Sequence, residues 1–132
     1  RRYMAVVESE ISPAEGEVKS YLKENAAMQM YSTNDEKNGQ LAITQYRTVK
    51  SNGRFSLVEV QLQTGRKNQI RVHMHDLGHP IIGDRKYGST CNPIGRVGLH
   101  AASLRFKHPI TGQMLHFESI IPEKFNYITQ NK

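Results

Sequence analysis

From Ser56 to Gln63 apolar and polar residues alternate, so Val58, Val60 and Leu62 share one face of a strand and Glu59, Gln61 and Gln63 the other. One buried face and one wet face follow from that pattern. A second run, Gln40 to Val49, precedes it through Ser51-Asn52-Gly53, and the two strands, 40–49 and 54–63, read as a hairpin. After Thr64-Gly65 the period changes to that of a helix, with Ile70, Met74 and Leu77 on one stripe and Gly78 placed to end it. Near the start, Tyr3-Met4-Ala5-Val6-Val7 is apolar on both faces, as in a strand inside a sheet. Residues 17–23 fit a short helix or a strand equally well. Met28 to Tyr31 reads as a strand, and Asn38-Gly39 marks a tight turn. Residues 89–98 read as a surface loop, Leu99 to Phe106 and Met114 to Ser119 as a second hairpin, and Pro122 to Tyr127 as a last helical turn before a fraying Gln130-Asn131-Lys132. The pattern predicts one α+β domain over residues 1–132: a mixed, mostly antiparallel sheet of hairpins with one main helix.

Charge adds a partner class. The chain carries 18 Lys plus Arg against 12 Asp plus Glu, a formal charge of +6 in 132 residues, which favours polyanions, RNA or DNA, as partners. No apolar run approaches the ~20 residues of a spanning helix, so a membrane partner is not expected. The single cysteine, Cys91, has no partner within the chain and suits a reducing cytoplasmic compartment. The chain opens on Arg1-Arg2 rather than methionine and enters an interior-type strand at once, which leads us to expect a piece of something longer. With strands missing, Tyr3 to Val7 would be an open sheet edge, inviting a homodimer.

Arg66, Lys67, Asn68 and Arg71 are expected in the first helical turn, where free backbone N–H groups and the helix dipole favour an anion. Arg85 and Lys86 join them from the following turn and Arg96 from the loop, a set suited to phosphate or carboxylate. Arg71, flanked by Ile70 and Val72, needs a carboxylate partner, which is Asp76, Asp84 or an acid from outside this chain. His73, His75 and His79 invite a metal, but positions two apart on a helix diverge and Gly78 interrupts the third, so hydrogen-bonding or packing roles are expected and no metal. No cofactor fingerprint occurs. Tyr3, Tyr46 and Tyr87 are either packing residues or platforms for a base.

The string Thr64-Gly65-Arg66-Lys67-Asn68-Gln69-Ile70-Arg71-Val72-His73, followed by Gly78-His79-Pro80-Ile81-Ile82-Gly83-Asp84-Arg85-Lys86-Tyr87-Gly88, resembles the third motif of the RluA-type RNA pseudouridine synthases. The Tyr3–Val7 strand resembles the family's second motif, and 40–46, 99–112 and 117–125 resemble later segments, so the likeness covers essentially the whole chain. It implies a partial pseudouridine synthase fold and isomerisation of uridine in ribosomal or transfer RNA without cofactor. By the same resemblance Tyr3 lies against the uracil, Arg71 pairs with a catalytic aspartate, and Leu99 walls the pocket. Arg66, Lys67, Arg85, Lys86 and Arg96 would then approach the RNA backbone. Asn68 stands where the family usually has histidine. The family's first motif, His-Arg-Leu-Asp, is absent from residues 1–132, and the family places it just upstream of the tyrosine strand. The expectation is a C-terminal portion of a synthase, inactive without its N-terminal part. Two other readings compete: a non-catalytic RNA-binding module on the same half-fold, and a metal-dependent nuclease built on His73, His75 and His79.

Overall fold

The computed structural model describes residues 1–130. Its strands are β1 (Arg2–Glu8), β2 (Glu15–Glu24), β3 (Met30–Thr33), β4 (Gln40–Ser51), β5 (Phe55–Leu62), β6 (Leu99–Lys107) and β7 (Met114–Glu118). Helix α1 (Gln69–Asp76) follows β5, and α2 (Glu123–Ile128) follows β7. The strands form one sheet in the order β3-β2-β4-β5-β1-β6-β7. The α+β class stands, but the sheet is not mixed: every strand pair in it is antiparallel. Short turns join β2 to β3, β4 to β5 and β6 to β7, and such connections permit only antiparallel pairing. Residues 17–23 are strand, because β2 gains a full ladder with β4 from Glu15↔Arg47 to Leu22↔Gln40.

The expected open edge at Tyr3–Val7 is not there. β1 lies between β5 and β6, and where β6 ends the segment around Pro80 and Gly98 takes over. Val6 N–H donates to Gly98 O at 2.8 Å, Ile82 N–H to Val6 O at 3.0 Å and Glu8 N–H to Pro80 O at 3.0 Å. Both backbone sides of β1 are therefore closed, and the edge argument for a homodimer fails with them.

Alternation along β1 sends its side chains into two cores. Ala5 and Val7, with Val58, Val60 and Tyr46, pack under Ile70 and Met74 of α1 on one face. Met4, Val6, Phe55 and Leu57 pack against Ile82, Ile94 and Phe125 on the other. Hence residues 55–58 are buried on both faces and the expected wet face of β5 is confined to its second half. The 89–98 segment is irregular, as read, yet Ile94 and Ser89 in it are buried, so it serves as a cover for the second core. At the far end, Asn52 Nδ2 donates to the Ile128 and Gln130 carbonyls, each at 3.0 Å, tying Gln130 to the β4–β5 turn rather than leaving it to fray. Asn131 and Lys132 of that reading lie outside the described residues. Among the described residues no helix is long and apolar enough to cross a membrane.

Candidate active site

Helix α1 starts later than its sequence suggests. Arg66 and Lys67 precede it and Asn68, with φ 57°, is its N-cap. The cause is Gln69, buried to 2% exposure, whose side chain folds back into the turn. Its Oε1 accepts from Arg66 N–H at 3.0 Å and from the Thr64 hydroxyl at 2.7 Å, while Nε2 donates to Ile43 O at 3.0 Å and to Thr44 Oγ1 at 2.9 Å. All the hydrogen-bonding capacity of this amide is engaged. The helix ends as expected: Gly78 N–H donates to His75 O and His79 N–H to Met74 O, each at 2.9 Å, around Gly78 at φ 83°. Only glycine adopts that left-handed conformation at little cost.

Between this turn, the start of β1 and the start of β6 lies an open cavity of about 180 Å³, lined by Arg1, Tyr3, Leu62, Gly65, Arg66, Asn68, Ile70, Arg71 and Leu99. Tyr3, Arg71 and Leu99, far apart in the chain, thus meet around one pocket. The register explains it: Tyr3 stands opposite Val60 on β5 and Ala101 on β6, so its ring faces the α1 side of the sheet. The cavity is smaller than the ~300–1,000 Å³ usual for drug-sized ligands, which suits a single heterocycle.

Arg71 is held on three sides. Its Nε and Nη2 donate to the two carboxylate oxygens of Asp84 at 2.9 and 2.8 Å, a two-pronged pair that pushes the guanidinium pKa further up. Asp84, not Asp76, is its partner. The guanidinium carbon stands 4.8 Å from the centre of the Tyr87 ring, and Nη1 reaches Asn68 Oδ1 at 3.3 Å. Asn68 Nδ2 in turn donates to Tyr87 Oη at 3.3 Å. The Gly83–Gly88 element therefore fixes one edge of Arg71 through Nε and Nη2, while Nη1 keeps one proton beyond its bond to Asn68. The place of Asp84 in Gly-Asp-x-x-Tyr-Gly is the sequence signal that sets it apart from the other candidate partners.

The other basic residues divide. Arg66 lines the pocket while its Nε donates to Leu41 O at 2.8 Å. Lys67 reaches Glu24 at 2.6 Å in an exposed ion pair, a contact worth at most about 1 kcal/mol and open to competition by another anion. Arg85 and Lys86 are exposed on the short 3-10 turn Arg85–Tyr87, beside Arg71. Arg96 does not join them. It donates to the Val97 and Leu99 carbonyls and lies over Phe125, which belongs to the core on the other face. Of the three tyrosines, Tyr46 and Tyr87 are buried packing residues, leaving Tyr3 at the pocket. Burial pushes the Cys91 thiol up, away from nucleophilic use.

The three histidines do not converge. His73 is fully buried, His75 is exposed, and His79 Nδ1–H donates to Glu8 O at 2.8 Å. His73 sits in a polar chain through the core. The Thr44 hydroxyl accepts from Gln69 and directs its proton to His73 Nδ1 at 2.6 Å, and Nε2–H then meets Ser20 Oγ at 2.8 Å. Ser20 passes the chain to Ser32 and Ser32 to Asp76. Both ring nitrogens are occupied in the neutral form, and burial holds the imidazole below its ordinary pKa. The unfolded chain takes up a proton near pH 6.5 while the native one resists it, so this group's contribution is intact above about pH 6.5 and is lost as pH falls. Urea midpoints at pH 7 and pH 5 are expected to differ more for the natural chain than for His73→Gln; equal differences would remove His73 from the account.

Known proteins share this arrangement of chain. The family model described as RNA pseudouridylate synthase matches residues 1–76. The uncharacterized RNA pseudouridine synthase YjbO of Bacillus subtilis (strain 168) is 37% identical over 134 residues, covering 100% of this chain and 46% of that protein. The ribosomal large subunit pseudouridine synthase D of Zymomonas mobilis is 35% identical over 133 residues, 93% of this chain and 42% of its own length. Human RNA Pseudouridylate Synthase Domain Containing 1 superposes with a TM-score of 0.76 at 25% identity, over 90% of this chain and 53% of that structure. The chain spans a little under half the length of these curated relatives.

Proposed function

Because the chain belongs to the RNA pseudouridylate synthase family, we propose that it is the C-terminal part of a catalytic domain that isomerises uridine to pseudouridine in structured RNA, ribosomal or transfer. The observation that carries this is the meeting of Tyr3, Arg71 and Leu99 around one small pocket beside a basic turn. In the reaction the N1–C1′ bond breaks, the base turns, and a C5–C1′ bond forms; the proton leaves C5 and N1 ends protonated. Such a sequence needs a planar surface to hold the detached base and a carboxylate at C1′. Tyr3 supplies the surface, with Leu99 beside it on the same face of the sheet as an apolar wall. Leu62 and Ile70 add further apolar lining.

The carboxylate comes from outside residues 1–132. Asp84 is 1% exposed and both its oxygens are engaged by Arg71, so it has none to offer a sugar. Arg71 Nη1 remains as the group that would orient an incoming carboxylate and favour its charged form. Arg66, Lys67, Arg85 and Lys86 surround the pocket turn as contacts for the RNA backbone, positioning rather than specifying. No step calls on a metal or cofactor.

The test compares the product of the whole open reading frame with residues 1–132 alone, each incubated with a ribosomal or transfer RNA transcript and assayed for pseudouridine. The whole product is expected to form pseudouridine and the 132-residue chain to form none. Formation by the chain alone would sink the external carboxylate, and failure of the whole product on every transcript would return the chain to a binding role.

A further inference from the structure

Beneath α1 a line of polar side chains crosses the core where apolar ones would ordinarily pack. Gln69, His73 and Asp76 stand at i, i+4 and i+7 of the helix, on one stripe. Against them three neighbouring strands set one hydroxyl each: Thr44 from β4, Ser20 from β2 and Ser32 from β3. Gln69 meets Thr44 at 2.9 Å, Thr44 meets His73 at 2.6 Å, His73 meets Ser20 at 2.8 Å and Ser20 meets Ser32 at 3.0 Å, before Ser32 reaches Asp76. Thr44 and His73 are buried, whereas Asp76 lies in the open at the last residue of α1. The line therefore joins the pocket turn to the surface at the other end of the helix.

Proton counting gives the line a direction. An ionised carboxylate only accepts, so Ser32 donates to Asp76. Ser32 has one proton, so it accepts from Ser20, and Ser20, its own proton committed, accepts from His73 Nε2–H. Nδ1 of the neutral ring then takes the Thr44 proton, and Thr44 Oγ1 accepts from Gln69 Nε2. Gln69 Oε1 is left facing the Thr64 hydroxyl and Arg66 N–H. Every bond from Arg66 to Asp76 points the same way. Reversed, the line fails. His73 Nδ1–H would aim at a Thr44 oxygen that already accepts from Gln69, and the Thr44 proton would have no acceptor unless the amide turned over. Its oxygen would then stand 3.0 Å from Ile43 O and its N–H groups would face Arg66 N–H.

Asp76 occupies the end of α1 where the helix dipole opposes a carboxylate, and among the described residues no cation pairs with it. Its side-chain bond is to Ser32. Water in place of the carboxylate would serve Ser32 as donor or acceptor alike and so would fix no direction. We propose that Asp76 is a positioning residue of the pocket: its carboxylate orients the line beneath α1, selects the Nε2–H tautomer of His73 and holds the Gln69 amide with its oxygen on the Arg66 turn. That Arg66 and Asn68 thereby serve a uridine rests on the functional reading above; the direction of the line does not.

The experiment reads the ring tautomer of His73 by nitrogen NMR in the whole gene product carrying isotope-labelled histidine, with His73→Gln to identify its signals. The natural protein is expected to show one neutral tautomer, protonated at Nε2. Asp76→Ala is expected to mix the two tautomers and to speed exchange of the Arg66 amide about tenfold, the weight of one charge-assisted hydrogen bond. Asp76→Glu should restore both. Ser32→Ala is expected to match Asp76→Ala, and the double variant to add nothing, because both cut the same line. On a transcript that the natural protein modifies, Asp76→Ala should lower kcat about tenfold and leave KM within about twofold, since the contacts to the RNA backbone are untouched. An unchanged tautomer and unchanged Arg66 exchange in Asp76→Ala overturn the proposal. So do additive effects of Ser32→Ala and Asp76→Ala, which would mean that the carboxylate acts through space, and so does a mixed tautomer with kcat unchanged. A tautomer set by Asp76 in a whole product that forms no pseudouridine on any transcript keeps the direction of the line and removes the functional reading.

Discussion

An Arg71→Met variant is expected to lose about 3–5 kcal/mol of stability, the usual cost of leaving one member of a buried ion pair without its partner. Asp84 is the member left behind, at 1% exposure and with both oxygens aimed at Nε and Nη2 of Arg71. The reverse deletion is milder. With Asp84→Ala, Arg71 retains 26% side-chain exposure and a place over the Tyr87 ring, so water reaches the charge and the loss falls to about 2–3 kcal/mol. The double variant Arg71→Met/Asp84→Leu is then expected to be more stable than the sum of the single losses, because no charge remains buried. Urea unfolding of the three variants measures all of this. Equal losses for the two single variants, or strict additivity in the double, would show that Asp84 is hydrated in solution and that the pair does not hold Arg71 in place. In the whole gene product Asp84→Ala keeps the guanidinium but frees its edge, so it separates the position of Arg71 from its presence.

Local patterns were legible where partners are close in sequence. The 40–63 hairpin, the helical stripe from Ile70 to Leu77 and the Gly78 stop all depend on residues within a few positions of one another, and the structure places them as read. Residues 17–23 could not be decided because β2 is a strand by virtue of its ladders with β3 and β4, whose residues lie outside any local window. The two-sided burial of 55–58 was hidden for the same reason: its second face is covered by Phe125 and Ile94, from the far end of the chain. The edge at β1 was misjudged because strand count alone does not reveal that β6 returns to pair with it. At the site, the basic turn followed from charge and helix position, whereas the roles of Tyr3 and Leu99 came through family resemblance, since nothing local marks either. Gln69 went unread. A glutamine three residues after Arg66 in a Thr-Gly-Arg turn carries the signal of a side chain capping backwards, but its burial is what makes the cap matter.

That burial makes Gln69→Leu the second large effect. Leucine fills nearly the same volume and suits a helix, so neither packing nor propensity opposes it. What it removes is both halves of the amide. Ile43 O still accepts from Gln63 N–H at 3.2 Å, and the Thr44 hydroxyl keeps His73, so those two partners are not stranded. The Thr64 hydroxyl proton and the Arg66 N–H lose the acceptor they have among the described residues. At about 1–3 kcal/mol for each orphaned donor, the expected loss is about 3–4 kcal/mol. The Arg66 amide is also expected to lose its hydrogen-exchange protection, because the turn that places Arg66 and Asn68 at the pocket closes through that bond. Gln69→Glu supplies the check: a carboxylate still accepts from both donors but faces Ile43 O and Thr44 without a proton to give, so it should retain Arg66 protection while losing stability. If Gln69→Leu unfolds within about 1 kcal/mol of the natural chain and its Arg66 amide stays protected, the turn is held by Asn68 and the sheet alone, and Gln69 is only a buried filler.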